Sequence, residues 1–190
     1  MHDHETYAML SQHTARTPPI SFSGAIRTLE AFGATAGPLL PFEQRRRVDD
    51  ELKAAALAFL TYHFTPLLVP LDGDFRAAFQ AAGLVLKHAD ADTHRRVLED
   101  VVMNVVNPAN HGRFAAMIRN TIPRETLEAT LLRHARSGNE LHANNVFWLL
   151  YSIGVEFGDE FWRELRTIAA DLVARRTTSR PLREVAAQLI

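Results

Sequence analysis

The run Ala54-Ala55-Ala56-Leu57-Ala58-Phe59-Leu60-Thr61-Tyr62-His63-Phe64 constrains this chain more than any other feature. It ends at a proline, Pro66, and as a helix it is apolar around nearly its whole circumference. Such a helix is stable in water only when other elements cover every face of it. The run therefore predicts a central helix surrounded by others, on a chain long enough to supply them: 190 residues, 47% hydrophobic and 23% charged.

The rest of the chain supplies the surrounding helices. Ile26, Leu29 and Phe32 recur at helical spacing before Gly33 and Gly37, which predicts a first short helix. The central helix is expected over about 42–64, after Pro38 and Pro41. Asp74 stands at a capping position ahead of Phe75, Phe79, Ala82 and Leu86, and Asp92 ahead of Val97, Leu98, Val101, Val102 and Val105, a segment stopped by Asn107-Pro108. A shorter helix follows over about 110–119. Pro123 opens one closed by Gly138, Asn139 opens one closed by Gly154, Asp159 caps the next, and Ser179-Arg180-Pro181 begins the last. No stretch alternates with a two-residue period between turn signals, so essentially no sheet is expected. The fold class is all-α: a compact multi-helix bundle of about eight helices around a central helix, with a short helical-hairpin array as the alternative, because helix starts recur at near-regular intervals without a repeated residue signature. Residues 1–20, polar and ending at Pro18-Pro19, read as a mobile leader to a single helical domain over 21–190.

Composition narrows the classes of function. With 21 basic and 22 acidic side chains the formal charge is −1, so no net field draws the chain to nucleic acid or anionic lipid. The absence of cysteine removes disulfides, thiolate nucleophiles and cysteine-ligated zinc. No basic start precedes an apolar signal core, and the apolar runs fall short of the roughly 20 residues a membrane span needs. These features predict a cytoplasmic protein with no membrane contact. Arginine far outnumbers lysine, present only as Lys53 and Lys87, and alanine is abundant; a G+C-rich bacterial genome gives that bias.

Several clusters are candidates for chemistry. His88, Asp90, Asp92 and His94 alternate along a link between two helices and offer donors to a zinc or manganese ion, although helix capping and the dipole of the preceding helix account for the same residues. His2, Asp3, His4 and Glu5 form a second donor cluster in the leader. The helical His-Glu metal signatures are absent, and no cofactor is expected. Tyr62, His63, Asn104, Asn144 and Asn145 fall in apolar surroundings, where an unsatisfied polar group costs about 1–3 kcal/mol. They are expected either to bond to one another as a network that fixes helix register or to line a ligand pocket. No nucleophile elbow, phosphate-binding glycine loop or dinucleotide fingerprint is present.

Arg45-Arg46-Arg47 and Arg175-Arg176, with Arg180 and Arg183, are local basic clusters without interleaved aromatics, and residues 92–119 imitate a helix-turn-helix carrying Arg113 and Arg119. Near-neutral charge weighs against DNA binding. Phe147 to Tyr151, with Phe157, Phe161 and Trp162, cannot all face one core. Trp148, Tyr151 and Trp162 are therefore candidates for a partner surface with an acidic rim of Glu156, Asp159, Glu160 and Glu164. The sequence favours a non-enzymatic module whose partner is another protein, as adaptor, inhibitor or immunity-type factor. The alternatives are a helical-bundle enzyme or small-molecule or metal carrier, and a DNA-binding regulator.

Overall fold

Asp49 decides where the helix carrying the apolar run begins. Its carboxylate accepts the N–H of Leu52 at 2.9 Å, and Asp50 and Glu51 place negative charge on the first turn. The computed structural model describes residues 20–35, 48–65, 75–107 and 109–190. Within them lie nine α-helices and no strand: α1 (Phe22–Thr35), α2 (Asp50–Phe64), α3 (Arg76–Lys87), α4 (Ala91–Arg96), α5 (Ala109–Thr121), α6 (Arg124–Arg136), α7 (Glu140–Ile153), α8 (Asp159–Ala174) and α9 (Arg180–Ala187). The chain is an all-α multi-helix bundle. The leader, Gly37, Arg45 to Arg47, Asp74 and Pro108 lie outside the described residues.

Four boundaries differ from the sequence expectation, each for a local reason. The described helix α2 starts at Asp50, because Val48 and Asp49 are not helical. Gly33 does not close α1, which runs on to Thr35; Gly33 keeps helical backbone, and a Cβ there would meet the Ala81 Cβ of α3 at an ordinary contact distance of 3.5 Å. Asp90 rather than Asp92 caps α4, accepting from the N–H of Thr93 at 2.8 Å, while Asp92 sits inside the first turn. Gly158 occupies the cap of α8, and Asp159 contributes charge from the first turn instead.

The apolar run behaves as its pattern requires. From Ala55 to Phe64 every residue of α2 is buried except Tyr62, which is partly covered. α1, α3 and the segment after α4 pack against it. In the C-terminal half α7 has the same role, with α5, α6 and α9 around it and Leu141, Val146, Phe147, Leu149 and Ile153 buried. Buried apolar side chains from Ala25 to Ala186 form one continuous cluster across both halves. No helix among the described residues is long and apolar enough to cross a membrane.

The segment after α4 is irregular. α4 widens into a π-helical turn over Val97–Val101 and then tightens into a 3₁₀ turn over Val102–Asn104, before extended backbone at Val105. Changes of helical hydrogen-bonding pattern leave carbonyls without their usual partners. Here they face buried surroundings, since Val97, Leu98, Val101, Val102 and Met103 are all fully buried. Side chains must satisfy them.

Asn139 and Gly154 bracket α7. Asn139 accepts the N–H of His142 at 3.2 Å, and Gly154 closes the helix in the left-handed region, at φ 59°. A Cβ there would also stand 3.3 Å from the Arg119 guanidinium. Gly154→Ala is therefore expected to cost about 1–2 kcal/mol, read by urea unfolding, and an unchanged midpoint would mean that the end of α7 relaxes without cost.

Candidate functional site

The residues expected to form one network or pocket have different fates. Asn145, 1% exposed, donates from Nδ2 to the carbonyls of Met103 and Val105 at 2.8 and 2.9 Å. Its Oδ1 accepts from His111 Nε2 at 3.1 Å. Asn104 donates to the carbonyls of Glu99 and Asp100 at 2.8 and 3.2 Å. Both asparagines thus serve the irregular stretch over 97–105, one from within it and one from α7. Asn144 is buried beside Asn145, yet its Oδ1 has no partner among the described residues. His63 stacks on Phe59 at 5.4 Å and meets Phe64 and Phe75 edge-on, and Tyr62 packs against Phe22. Burial and the positive charge of Arg113 push the His63 imidazole below its ordinary value.

Two buried histidine arrangements were not expected. His111 is fully buried, and burial pushes it down to about 4 against the opposing hydrogen bond to Asn145. It lies on the α5 face that also carries Phe114, Ala115 and Ile118, so the helical period alone places it inside. His134 at the end of α6 and His142 at the start of α7 face each other with Nδ1 atoms 3.1 Å apart. One ring donates its single proton to the other. Burial, then the His142 and Arg133 charges, push His134 down to about 4 against the pull of Glu99, and burial lowers His142.

The four metal-ligand candidates each have a structural task. Asp90 caps α4 and pairs with Lys53 at 2.7 Å, which holds its carboxyl well below the usual range. Asp92 pairs with Arg95, and His94, buried, donates from Nε2 to the Leu86 carbonyl at 2.8 Å. His88 lies at the end of α3, where its backbone N–H closes the helix. Among the described residues no group of three or more histidines, aspartates and glutamates converges to hold a metal ion.

The aromatic candidates divide. Tyr151 is 66% and Trp148 37% exposed, neighbours on one face of α7 with ring centroids 6.4 Å apart. Trp162 is partly covered and packs edge-on against Phe157 and Phe161, so it belongs with the core. Of the expected acidic rim, Glu164 is taken up in an ion pair with Arg136. Six of the described arginines are likewise engaged: Arg95, Arg96, Arg124, Arg133, Arg136 and Arg180 all pair with carboxylates.

A cavity of about 490 Å³ opens where the end of α6, the start of α7, α8 and the α8–α9 link meet; of the sequence candidates, Glu164 of the acidic rim and Arg175 of a basic cluster line it. No periodicity announces it, because its walls come from two stretches, 135–143 and 164–182, that meet only in the folded chain. Comparison with known protein families, curated proteins and solved structures finds no match for this chain.

Proposed function

We propose that this chain is a protein-binding module of the bacterial cytoplasm, an adaptor, inhibitor or immunity-type factor, which holds its partner through the Trp148–Tyr151 face of α7. The observation that carries this reading is the exposure of two large aromatic rings side by side on a helix whose other faces are buried. Rigid, solvent-facing aromatics at the centre of an interface supply most of its binding energy. With no cysteine, nothing in the chain calls for an oxidising compartment.

The alternatives draw less support. An enzyme site among Tyr62, His63, Asn104, Asn144 and Asn145 needs polar groups that point into a shared space, whereas Asn104 and Asn145 use their amide protons on backbone carbonyls. A DNA-binding face needs unpaired arginines gathered together, whereas six of the described ones, Arg180 of the basic cluster among them, pair with acids on the same or a neighbouring helix.

The test is native mass spectrometry on protein purified gently from its own host, followed by affinity measurement with the partner chain found. The expected result is a stoichiometric heterologous chain whose affinity falls at least about 30-fold in Tyr151→Ala or Trp148→Ala, the range for a central aromatic anchor. Isolation with a stoichiometric cofactor and no second chain overturns the proposal, as does a partner indifferent to both substitutions.

A further inference from the structure

The cavity beside the start of α7 combines features that select a ligand. Its volume, about 490 Å³, falls in the range of small-molecule sites. Ala143, Ile168, Leu172 and Leu182 give it an apolar wall. Gly138, Asn139 and Glu140 also line it, so the positive end of the α7 dipole lies at its edge.

Its polar groups are incompletely satisfied. Thr178 lines the cavity and is 6% exposed, and its hydroxyl has no hydrogen-bond partner among the described residues. The adjacent Ser179 hydroxyl is buried and also without a partner, although the Ser179 N–H reaches Glu140 at 2.8 Å. The Thr178 hydroxyl is therefore open to a hydrogen bond from a ligand, whereas the Ser179 hydroxyl lies outside the cavity lining.

The charges at the mouth divide into two kinds. Arg136 and Glu164 are joined across it in an ion pair. Asp171 and Arg175, one helical turn apart at solvent-exposed positions, both line the opening, and neither forms an ion pair with a described residue. One cation and one anion, each hydrated, are thereby open to a ligand beside an apolar wall. A simple carboxylate would leave Asp171 unmatched, and a simple amine would leave Arg175 unmatched. A molecule carrying both charges a few bonds apart, with an aliphatic tail, matches all three elements.

We propose that this cavity is a binding site for a small zwitterion of the aliphatic α-amino acid class. The ligand carboxylate pairs with Arg175 near the α7 N-terminus, its ammonium pairs with Asp171, the Thr178 hydroxyl bonds to its polar end, and its side chain lies on Ile168, Leu172 and Leu182. The site is separate from the aromatic face of α7 and does not rest on it.

The test is calorimetric titration of the full chain with leucine, and then with isocaproate and isoamylamine, which lack the ammonium and the carboxylate respectively. Leucine is expected to saturate one site, with each truncated analogue weaker by about tenfold or more, since each loses one charge-assisted contact. Arg175→Ala and Asp171→Asn, both at exposed positions, should each weaken leucine by a similar factor while leaving the thermal midpoint in place. Thr178→Val should weaken it less. No saturable leucine binding up to about 10 mM overturns the proposal. So does binding that isocaproate matches, or that neither Arg175→Ala nor Asp171→Asn reduces.

Discussion

Replacing Asn145 with leucine is expected to destabilise the protein by about 3–5 kcal/mol, while Asn144→Ala, one residue away, should cost less than about 1 kcal/mol. Leucine is close to asparagine in size, so the large effect does not come from a cavity. It comes from the buried carbonyls of Met103 and Val105, which lose the amide that bonds to both, and from His111, whose Nε2–H loses its acceptor. Each buried group left in that state costs about 1–3 kcal/mol. Asn144 has less to lose, because its Oδ1 accepts no hydrogen bond among the described residues. Urea unfolding of the two variants checks the contrast. Equal losses would mean that the 97–105 segment finds other partners, and that Asn145 is not what holds it.

The second large effect is a loss of stability in mild acid. His111 and His134 are both pushed down to about 4, and His63 and His142 are lowered as well, whereas an unfolded histidine titrates near 6.5. Between those values the unfolded chain binds protons that the folded chain excludes. The contribution of His111 and His134 to stability is therefore fully present above about pH 6.5, falls as pH falls, and is lost by about pH 4, and that of His63 and His142 falls in the same direction. For His111, fully buried, the slope approaches about 1.4 kcal/mol per pH unit, or about 2 kcal/mol between pH 6.5 and pH 5.

The His134–His142 pair adds to this in the same direction. Its single shared proton suits the 3.1 Å contact, and a second proton sets two N–H groups head to head beside Arg133. Unfolding free energies measured at about pH 7.5 and about pH 5 should differ by at least about 2 kcal/mol, and His134→Gln should make the dependence shallower. A flat profile over this interval would mean that these imidazoles reach water in the folded state. The Asp90–Lys53 pair titrates in a separate window, because its carboxyl is held down and gives up its contribution only in stronger acid.

How much of this was legible depends on whether the cause is local. The bracket of α7 by Asn139 and Gly154 was readable, because a cap acts on N–H groups within three residues and a left-handed turn needs glycine wherever it occurs. The cap of α4 was misplaced from Asp90 to Asp92, since both aspartates precede the same apolar pattern and only the backbone at Asp90, with ψ 169°, selects between them. His111 was within reach, being on the apolar face of its helix. The π and 3₁₀ turns over 97–104 were not, because valine-rich sequence reads as continuous helix and the change of winding depends on carbonyls being received by Asn104 and Asn145.

The sequence by itself determined that the chain is helical, where most helices end, and that α2 must be enclosed, since these follow from side-chain period and from the conformational limits of proline, glycine and capping residues. Tertiary structure alone decided which of two adjacent asparagines bonds to a distant backbone and that two histidines eight residues apart share a proton. It also decided that Trp148 faces solvent while Trp162 is packed, and that two separated stretches of chain leave a cavity with charged groups at its mouth. Those outcomes depend on helix-to-helix distances of a few ångströms, which the turns between helices set and no local pattern along the chain encodes.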